Sequence, residues 1–273
     1  MPLITLATDI GQQDYIVGAF KGQLHAEISQ LSIADISHYL PLDNFAHAAY
    51  ICSNAYKYYP SNTLHILLIN VFDEPETHFV ICNYNNQFIL CPNNGMLSML
   101  VKTLPENTTV LPIINATNIM QITKIIATTA STILANNTIE GIGTKGLKIV
   151  EKAMMKPTVG NDWIDGHILF IDNFNNVIVN ITEEVFENAR KGRNYKIVFK
   201  RNEVVKNLST NYASVKETEQ LAWFNAAGHL ELAINKGFAA ELFGLESYKE
   251  KMHQEGKSVQ NKWFYQTVRI YFE

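Results

Sequence analysis

Apolar strand-like runs and helically spaced segments alternate along the first half of the chain, and this alternation limits the fold more than any other feature. Residues 3–8 form an apolar, β-branched run, and residues 15–29 place apolar side chains at helical spacing. A strand at 31–37, a helix at 45–59 and a nearly continuous apolar strand at 64–71 follow in the same order. Repeated strand–helix units predict an α/β fold, with a mostly parallel sheet flanked by helices.

The first half also contains a predicted hairpin. Two short apolar runs are separated by Asn85 and Asn86, which is typical of a tight turn between antiparallel strands. The pattern then predicts a helix over 95–104, a strand over 109–114 and a helix over 120–136. We therefore expect a first domain of α/β type over residues 1–155.

The pattern changes near residue 155, where Pro and Gly residues stand among polar side chains and indicate a domain boundary. Closely spaced β-rich runs follow, with one short helix near 183–191 that Thr182 caps and Gly192 ends. We expect the second domain, over 160–273, to be an antiparallel barrel or sandwich.

Composition narrows the classes of function. The chain has 22 basic and 26 acidic residues, so no surplus of Lys and Arg exists to neutralise phosphates, and we expect no nucleic-acid partner. No apolar stretch of about 18 residues and no signal-peptide pattern occurs, so we expect a cytoplasmic protein without a membrane partner. Three cysteines without CxxC spacing predict reduced thiols, and eight scattered histidines without metal-ligand spacing predict no metal.

The first candidate site follows the first strand, at Thr8-Asp9-Ile10-Gly11, with Asp14 close behind. Ligands of open parallel sheets lie at the carboxyl ends of the strands, and a carboxylate there accepts hydrogen bonds from both hydroxyls of a ribose. Asp is also a common helix cap. Asp9 is therefore either a ligand contact or the cap of the first helix.

The second candidate site runs from Asp172 to Asn176, where the aromatic residue Phe174 stands among amides. An amide offers both a donor and an acceptor to a purine edge, and a Phe ring offers a stacking face. Asn-rich segments between strands are also typical of hairpin turns. Segments 93–95 and 225–228 leave the same two possibilities, a turn or a ligand loop.

Five segments resemble, in order and at matching spacing, motifs of the S-adenosyl-L-methionine (SAM) hydroxide adenosyltransferases, the family that also contains the SAM-dependent chlorinases and fluorinases. The segments are ITLATDIGQQDYIVGAFKGQL, ADISHYLPLDNFAHAAYI, CPNNGMLSML, ILFIDNFNNVIVNI and NAAGHLELAINKGFAAELFGL. The likeness extends over nearly the whole chain. On these segments the chain is identified as a divergent member of that family.

The resemblance implies an N-terminal α/β domain that binds a nucleoside and a smaller C-terminal antiparallel β-barrel. It implies a homotrimer, in which each site lies between the first domain of one subunit and the second domain of its neighbour. In the family a nucleophile displaces methionine from C5′ of SAM by in-line attack on carbon, which needs positioning more than a metal. SAM is then the substrate, and no cofactor is expected.

Matching positions carry the family's binding roles onto this chain. Asp9 would hold the ribose diol, with Asp14 nearby. The contacts to adenine and to the methionine part would come from the second half: Phe174, Asn176 and the backbone around Ala239 for adenine, Asp172 for the methionine amine, and Asn225 at the start of the segment similar to the family's NSxG motif.

The chain departs from the family at the positions that handle water. Hydrolytic members carry an Asp after the third parallel strand, commonly followed by an Arg, and the corresponding positions here are Asn70 and Asp73. The family's HGRD segment becomes Gln121 to Lys124, and the Ser of its NSxG segment becomes Ala226. An amide cannot take a proton from water, so the family's hydrolytic apparatus is not carried over intact.

Two functions remain open. In the first, the protein cleaves SAM or a related 5′-substituted adenosine with water, and Asp73, Glu74 or His78 replaces the missing groups beside Asn70. In the second, it binds adenosine or SAM without turnover. Lys124 is expected either to contact one of the two acids or to turn outward to water, because an unpaired buried ammonium is costly. Nothing in the sequence indicates a halide pocket.

Overall fold

The computed structural model describes residues 1–42, 44–73, 76–200, 203–245 and 267–273. The chain divides into two compact units, Met1–Met154 and Met155–Glu273, called the first unit and the second unit below. Among the described residues, no helix is both long enough and apolar enough to cross a membrane.

The first unit is a six-stranded sheet with helices on both faces. Its strands are β1 (Leu3–Thr8), β2 (Ser32–Ser37), β3 (Leu64–Leu68), β4 (His78–Tyr84), β5 (Gln87–Pro92) and β6 (Thr109–Pro112), and its helices are α1 (Ile16–Glu27), α2 (Phe45–Tyr56), α3 (Met96–Leu100) and α4 (Ile119–Asn136). The strand order is β2-β1-β3-β5-β4-β6. Strand β4 runs in the opposite direction to the other five strands of this sheet. The predicted mostly parallel sheet flanked by helices is confirmed.

Strand β3 shows why the apolar run in this part of the sequence is continuous. Leu64, Ile66 and Leu68 pack on one face, in the cluster that contains α1 and α4 side chains. Leu67 and Ile69 pack on the other face, against α2 and α3. Burial of each such side chain contributes about 1.5–3 kcal/mol, so both faces of the strand are held.

The hairpin between β4 and β5 is confirmed, and its turn residues explain it. Asn85 and Asn86 have φ angles of 53° and 61°. Two consecutive residues with positive φ make the turn whose twist matches that of the flanking strands, and Asn tolerates this conformation better than most residues.

Three elements end earlier than the sequence pattern predicts. Strand β3 ends at Leu68 because the chain turns at Asn70, which has a φ of 47°. Helix α2 ends at Tyr56, where the side-chain amide of Gln87 donates to the Tyr56 carbonyl and to that of Tyr59, at 3.1 and 2.7 Å. Helix α3 has only five residues.

The second unit is a nearly closed antiparallel barrel. Its strands are β7 (Thr158–Val159), β8 (Trp163–Ile171), β9 (Val177–Thr182), β10 (Tyr195–Lys200), β11 (Glu203–Val205), β12 (Gln220–Phe224), β13 (His229–Ile234) and β14 (Thr267–Phe272). The order is β11-β10-β14-β8-β9-β13-β12, with β7 beside β8. The Gln220 side chain donates to the Glu203 carboxylate, which links the two outer strands. The barrel alternative is therefore the correct one.

A single helix, α5 (Glu183–Arg190), supplies the aromatic centre of the barrel core. The Thr182 hydroxyl accepts from the Val185 N–H at 3.3 Å, as predicted for the cap. The helix places Phe186 among the rings of Tyr195, Phe224 and Phe272, with centroids 5.1, 5.4 and 6.0 Å away.

Several elements of the second unit, β7 and β12 among the strands, are not predicted by the sequence pattern, and the last strand is described only in part. The pattern predicted no strand at β12, because its sequence, QLAWF, is short and only weakly alternating. The last predicted strand spans residues 263–272, of which 263–266 lie outside the described residues. Its described part is β14.

Candidate functional site

The carboxyl edge of the first unit's sheet brings together residues from the ends of β1, β3 and β5. Asp9 follows β1, Asn70 follows β3 and Asn94 follows β5. Because these strands are parallel neighbours, the residues after them meet at one edge. This edge contains the first group of predicted site residues.

Asp9 connects two of these strand ends. Its Oδ2 atom accepts from the Asn70 N–H at 2.7 Å, and its own N–H donates to the Leu68 carbonyl at 3.2 Å. Helix α1 begins seven residues later, with Tyr15 at its N-cap and no side-chain cap hydrogen bond. The alternative that Asp9 caps the first helix is therefore wrong. The ligand role of Asp9 stays a prediction.

Asn70 is held on both its backbone and its side chain. Its Nδ2 atom donates to Asp73 Oδ1 at 2.8 Å. The buried Asn94 donates to the carbonyls of Ile69 and Asn70 at 3.0 and 3.1 Å, and accepts from the Met96 N–H at 3.2 Å. Segment 93–95 is therefore a turn in which Asn94 fixes the backbone around Asn70, and its ligand role stays a prediction.

Lys152 completes this polar chain, and the sequence analysis missed it. Its Nζ atom lies 3.1 Å from Asp73 Oδ2 and 4.3 Å from the centre of the Phe45 ring. Its backbone N–H donates to Ser98 Oγ, and its carbonyl accepts from the same hydroxyl, both at 2.8 Å. No local motif marks this lysine, because its contacts come from residues more than 50 positions away in the sequence.

Gly95 makes room for the Lys152 stem. A Cβ atom at position 95 would lie 2.5 Å from Lys152 Cγ, and the backbone φ there is 96°. A glycine meets both requirements without strain. The chain Asp9–Asn70–Asp73–Lys152 is called the edge chain below.

Other predicted residues of this region are not joined to the edge chain by a described hydrogen bond. Asp14 accepts from the Tyr15 N–H at 2.5 Å. His78 contacts the Thr77 carbonyl at 2.9 Å and lies 3.5 Å from a Glu76 oxygen. Glu74 lies outside the described residues.

Lys124 adopts the outward alternative. The ammonium pairs with Glu27 of α1, and about half of the side chain is exposed to solvent. The alternative contact with Asp73 is not formed, since Lys152 and Asn70 are the described partners of that carboxylate.

A second row of side chains holds the turn that carries Asp9. The Thr8 hydroxyl lies 3.0 Å from His38 Nδ1, His38 Nε2 lies 3.1 Å from Asp35 Oδ1, and Lys21 lies 2.6 Å from the other Asp35 oxygen. The Gly11 N–H donates to the His38 carbonyl at 2.6 Å. Burial lowers the pKa of His38 below its usual value, although Asp35 opposes this effect. The turn is therefore fixed by a largely buried imidazole.

In the second unit, Asp172 organises the loop between β8 and β9. Asp172 Oδ1 accepts from the N–H groups of Phe174 and Asn176, both at 2.8 Å, and the Asp172 N–H donates to the Asn176 carbonyl at 3.0 Å. Asn175 has a φ of 62°. The segment is therefore a hairpin turn, and its ligand role stays a prediction.

Asn176 continues into a network of side chains that the sequence analysis missed. Its Nδ2 atom donates to Asp172 Oδ2 at 3.0 Å and to the Tyr212 hydroxyl at 3.3 Å. Tyr212 donates to Glu231 Oε1 at 2.5 Å. Burial, and then Glu231, raise the pKa of Tyr212. A buried Glu inside the apolar strand β13 was the one sequence signal for this network.

The remaining predicted residues lie around this loop or in a neighbouring turn. Phe174 is 71% exposed, so its ring is available for stacking. Ala239 is buried at the start of α6 (Ala239–Leu242), and the next residue, Ala240, donates to the Asn175 carbonyl at 2.9 Å. Asn225 Oδ1 accepts from the N–H groups of two residues in the turn between β12 and β13, Ala227 and His229.

The described residues contain no group of three or more His, Cys, Asp or Glu side chains placed to hold a metal ion. Cys52, Cys82 and Cys91 are buried free thiols, as predicted. The side chains described at the two sites are carboxylates, amides, a lysine ammonium and aromatic rings.

Comparisons with known proteins give relatives in both sequence and structure. The chain is 28% identical over 109 residues to an (R)-S-adenosyl-L-methionine hydrolase of Methanocaldococcus jannaschii, a match that covers 38% of this chain and 41% of that protein. The match thus spans about two fifths of the length of that curated relative.

Two solved structures share the fold at 20% identity. An uncharacterized conserved protein from Thermotoga maritima has a TM-score of 0.77, covering 98% of this chain and 99% of that one. A conserved hypothetical protein from Thermus thermophilus has a TM-score of 0.71, with both chains fully covered.

Family models match both halves of the chain. The model of the SAM hydroxide adenosyltransferase N-terminal domain matches residues 4–143, and that of the SAM hydroxide adenosyltransferase C-terminal domain matches residues 166–251. The chain belongs to the SAM hydroxide adenosyltransferase family.

Proposed function

We propose that the protein cleaves SAM, or a related 5′-substituted adenosine, at C5′ with water to give adenosine and methionine. The water oxygen forms a bond to C5′ while the C5′–S bond breaks and its electron pair goes to sulfur. The positively charged sulfonium becomes a neutral thioether, and one proton leaves the attacking water. The leaving group therefore needs no acid, and the site must position the water and accept a proton.

The edge chain is the observation that carries this proposal. Asp9 lies at the sheet edge where a ribose binds in proteins of this architecture, and it is hydrogen-bonded to Asn70. Asn70 in turn donates to Asp73, whose other oxygen contacts Lys152. The four residues thus place an acceptor for the sugar, an amide and a carboxylate–ammonium pair in one connected group.

Within this group the roles differ by chemistry. The Asn70 amide has its Nδ2 atom engaged, which leaves its oxygen to accept a hydrogen bond from a positioned water. Asp73 is the carboxylate that takes the proton. Lys152 balances the charge of Asp73 before the proton arrives, in place of the arginine that the hydrolytic members carry.

The second half supplies the proposed contacts to the rest of the substrate. Phe174 stacks on adenine, Asn176 and the backbone at Ala239 bind its edge, and Asp172 faces the amine of the methionine part. Asn225 holds the turn that lies next to the carboxylate of the methionine part. SAM itself is the substrate, and neither a metal nor an organic cofactor takes part.

We also propose that the protein is a homotrimer with its sites between subunits. This assembly would bring the ribose-binding residues of one subunit to the adenine-binding residues of another. Light scattering should then give three times the chain mass of 30.9 kDa. A monomeric mass in the presence and absence of adenosine would contradict it.

A second candidate function is binding without turnover. The observation that favours it is the chemistry of the altered positions: Asn70 is an amide, both Asp73 oxygens have partners, and Lys124 pairs with Glu27 instead of entering the edge chain. A protein of this kind would keep the nucleoside pocket and respond to adenosine or SAM by binding alone.

One assay separates the two functions. Purified protein is incubated with each sulfonium epimer of SAM, since the archaeal relative is named for the R epimer, and adenosine and methionine are followed by chromatography. Equal amounts of both products, lost in Asp9→Ala and retained in the exposed control Glu140→Ala, support hydrolysis. Tight adenosine binding without product supports the second function, and neither binding nor product would contradict both.

A further inference from the structure

We infer that Tyr212 and Glu231 fix the orientation of the Asn176 amide, so that this side chain presents only its oxygen to a ligand and selects a base that carries an amine over one that carries a carbonyl. The inference rests on the proposed function in one respect, which is that the ligand contains a purine. It assigns a specificity role to two residues outside the predicted site.

The relevant feature is an unbranched series of four side chains. Asp172 Oδ2 lies 3.0 Å from Asn176 Nδ2, which lies 3.3 Å from the Tyr212 hydroxyl, and that hydroxyl lies 2.5 Å from Glu231 Oε1. This series is called the amide clamp below. Its order decides where each proton must be.

The proton positions follow from the ends of the amide clamp. Carboxylates at neutral pH only accept hydrogen bonds, so Tyr212 donates its single proton to Glu231. The Tyr212 oxygen is then an acceptor toward Asn176, and Asp172 is an acceptor on the other side. Both groups require an N–H donor, so the amide nitrogen of Asn176 must face them.

The reverse amide orientation is unfavourable. It would place the Asn176 oxygen against the Asp172 carboxylate and against the Tyr212 oxygen, with no proton between them. Two hydrogen bonds, one of them to a charged group, would be lost. Tyr212 cannot adjust by losing its own proton, because burial and Glu231 raise its pKa.

The opposite end of the amide is left for a ligand. No described residue donates to Asn176 Oδ1, and this atom is not among the fully enclosed polar atoms without a partner. Asn176 is 3% exposed, and both described side-chain hydrogen bonds engage its nitrogen. The oxygen is therefore the polar atom of this side chain that a ligand can still engage.

Two contacts hold the far end of the amide clamp. Glu231 is 3% exposed, and the Trp223 ring packs edge-on against the ring of Tyr212, which is 39% exposed, with centroids 4.9 Å apart. A fixed acceptor favours the exocyclic amine of adenine and opposes the carbonyl oxygen of hypoxanthine, because two acceptors then face each other. The amide clamp thus makes the Asn176 side chain, which has both a donor and an acceptor, act toward a ligand only as an acceptor.

The test measures the dissociation constants of adenosine and inosine by calorimetry. The parent protein should bind adenosine at least about tenfold more tightly than inosine, a difference equal to one lost hydrogen bond. In Tyr212→Phe the ratio of the two constants should fall by about threefold or more, since only Asp172 then orients the amide. Tyr58→Phe, which removes the hydroxyl of an exposed tyrosine outside the amide clamp, should retain the ratio.

The outcomes distinguish the inference from the proposed function. If Tyr212→Phe weakens the binding of adenosine and inosine by the same factor, the ratio is unchanged. This result overturns the inference and leaves the proposed adenine site intact. A parent protein that binds neither nucleoside overturns both. If Tyr212→Phe fails to fold because Glu231 loses its hydrogen-bond partner, the double variant Tyr212→Phe, Glu231→Leu removes the unpaired carboxylate. The ratio of the two dissociation constants is then measured in the double variant and tests the inference in the same way.

Discussion

The edge chain and the amide clamp each join four residues, but only the edge chain includes a cation. The edge chain contains two carboxylates and ends in a lysine ammonium, so part of its charge is balanced. The amide clamp begins and ends in carboxylates, and no described salt bridge places a cation on Asp172 or Glu231. Asn70 and Asp73, at which the sequence resemblance predicts a departure from the hydrolytic members, both belong to the edge chain.

The comparison shows two ways of fixing an amide side chain. The Asn176 amide nitrogen lies between a carboxylate and a tyrosine hydroxyl. The Asn70 amide nitrogen donates to one carboxylate, Asp73, whose other oxygen contacts Lys152. Under the proposed function, the first amide binds the base and the second positions the water.

The largest expected difference between the two units is their response to acid. Burial lowers the pKa of both His47 and His65, in the first unit, to about 4. In the unfolded chain both imidazoles have their usual pKa of about 6.5, so they bind protons at a higher pH than in the folded protein. The free energy of unfolding therefore decreases as the pH falls from about 6.5 to 4. Each group accounts for about 3 kcal/mol.

This prediction is testable because all three tryptophans follow residue 155 in the sequence: Trp163, Trp223 and Trp263. Circular dichroism at 222 nm, dominated by the helices of the first unit, should change at a higher pH than tryptophan fluorescence. His65→Gln should reduce the pH dependence, and His25→Gln, at an exposed position, should not. Coincident transitions would show that the two units do not differ.

The second prediction concerns Asp9. Asp9→Asn should weaken adenosine binding by about 1.5–3 kcal/mol, because a hydrogen bond from the ribose to a charged acceptor is lost. Calorimetry should show a dissociation constant raised about 10- to 150-fold. The exposed carboxylate Glu140, changed to Gln, serves as control. Unchanged affinity in Asp9→Asn would limit Asp9 to joining β1 and β3.

A smaller effect is expected at Phe174. Since the ring is 71% exposed, Phe174→Ala should leave the melting temperature unchanged while it weakens adenosine binding by about 0.5–1.5 kcal/mol, the scale of a lost aromatic stack. Tyr58→Ala, at another exposed ring, should change neither quantity. Loss of stability without loss of affinity would remove the stacking role.

The smallest expected effect on stability is that of Lys152. As a partly exposed ion pair, Lys152 with Asp73 contributes about 0–1 kcal/mol to the free energy of unfolding. Lys152→Ala should leave adenosine affinity unchanged and lower the rate of SAM cleavage, whereas Lys145→Ala should change neither. An unaltered rate in Lys152→Ala would exclude the lysine from the handling of water.

The elements with a strong apolar pattern were predictable from sequence. Strand β3 is a continuous apolar run between polar segments, and helix α4 has apolar side chains at helical spacing. Strand β12 was not predicted because its own sequence alternates only weakly, and it is a strand because it pairs with β13 across the turn at 225–228. Cross-strand packing, more than intrinsic propensity, decides such an element.

The candidate sites show the same division. Asp9 and Asn176 stand in recognisable segments next to strand ends, and their neighbourhoods were predictable. Lys152 contacts Asp73, and Tyr212 contacts Asn176, from distant segments without a recognised motif. Their roles depend on side-chain hydrogen bonds between residues 19 or more positions apart, which composition and spacing do not reveal.

The hydrogen bond from Asn70 to Asp73 couples substitutions at the two positions. Asn70→Asp alone would bring two carboxylates to the 2.8 Å contact now made by an amide and an acid. Such a pair shares one proton or moves apart. The effect of an acid at position 70 therefore depends on the residue at position 73, and we expect the two positions to be epistatic.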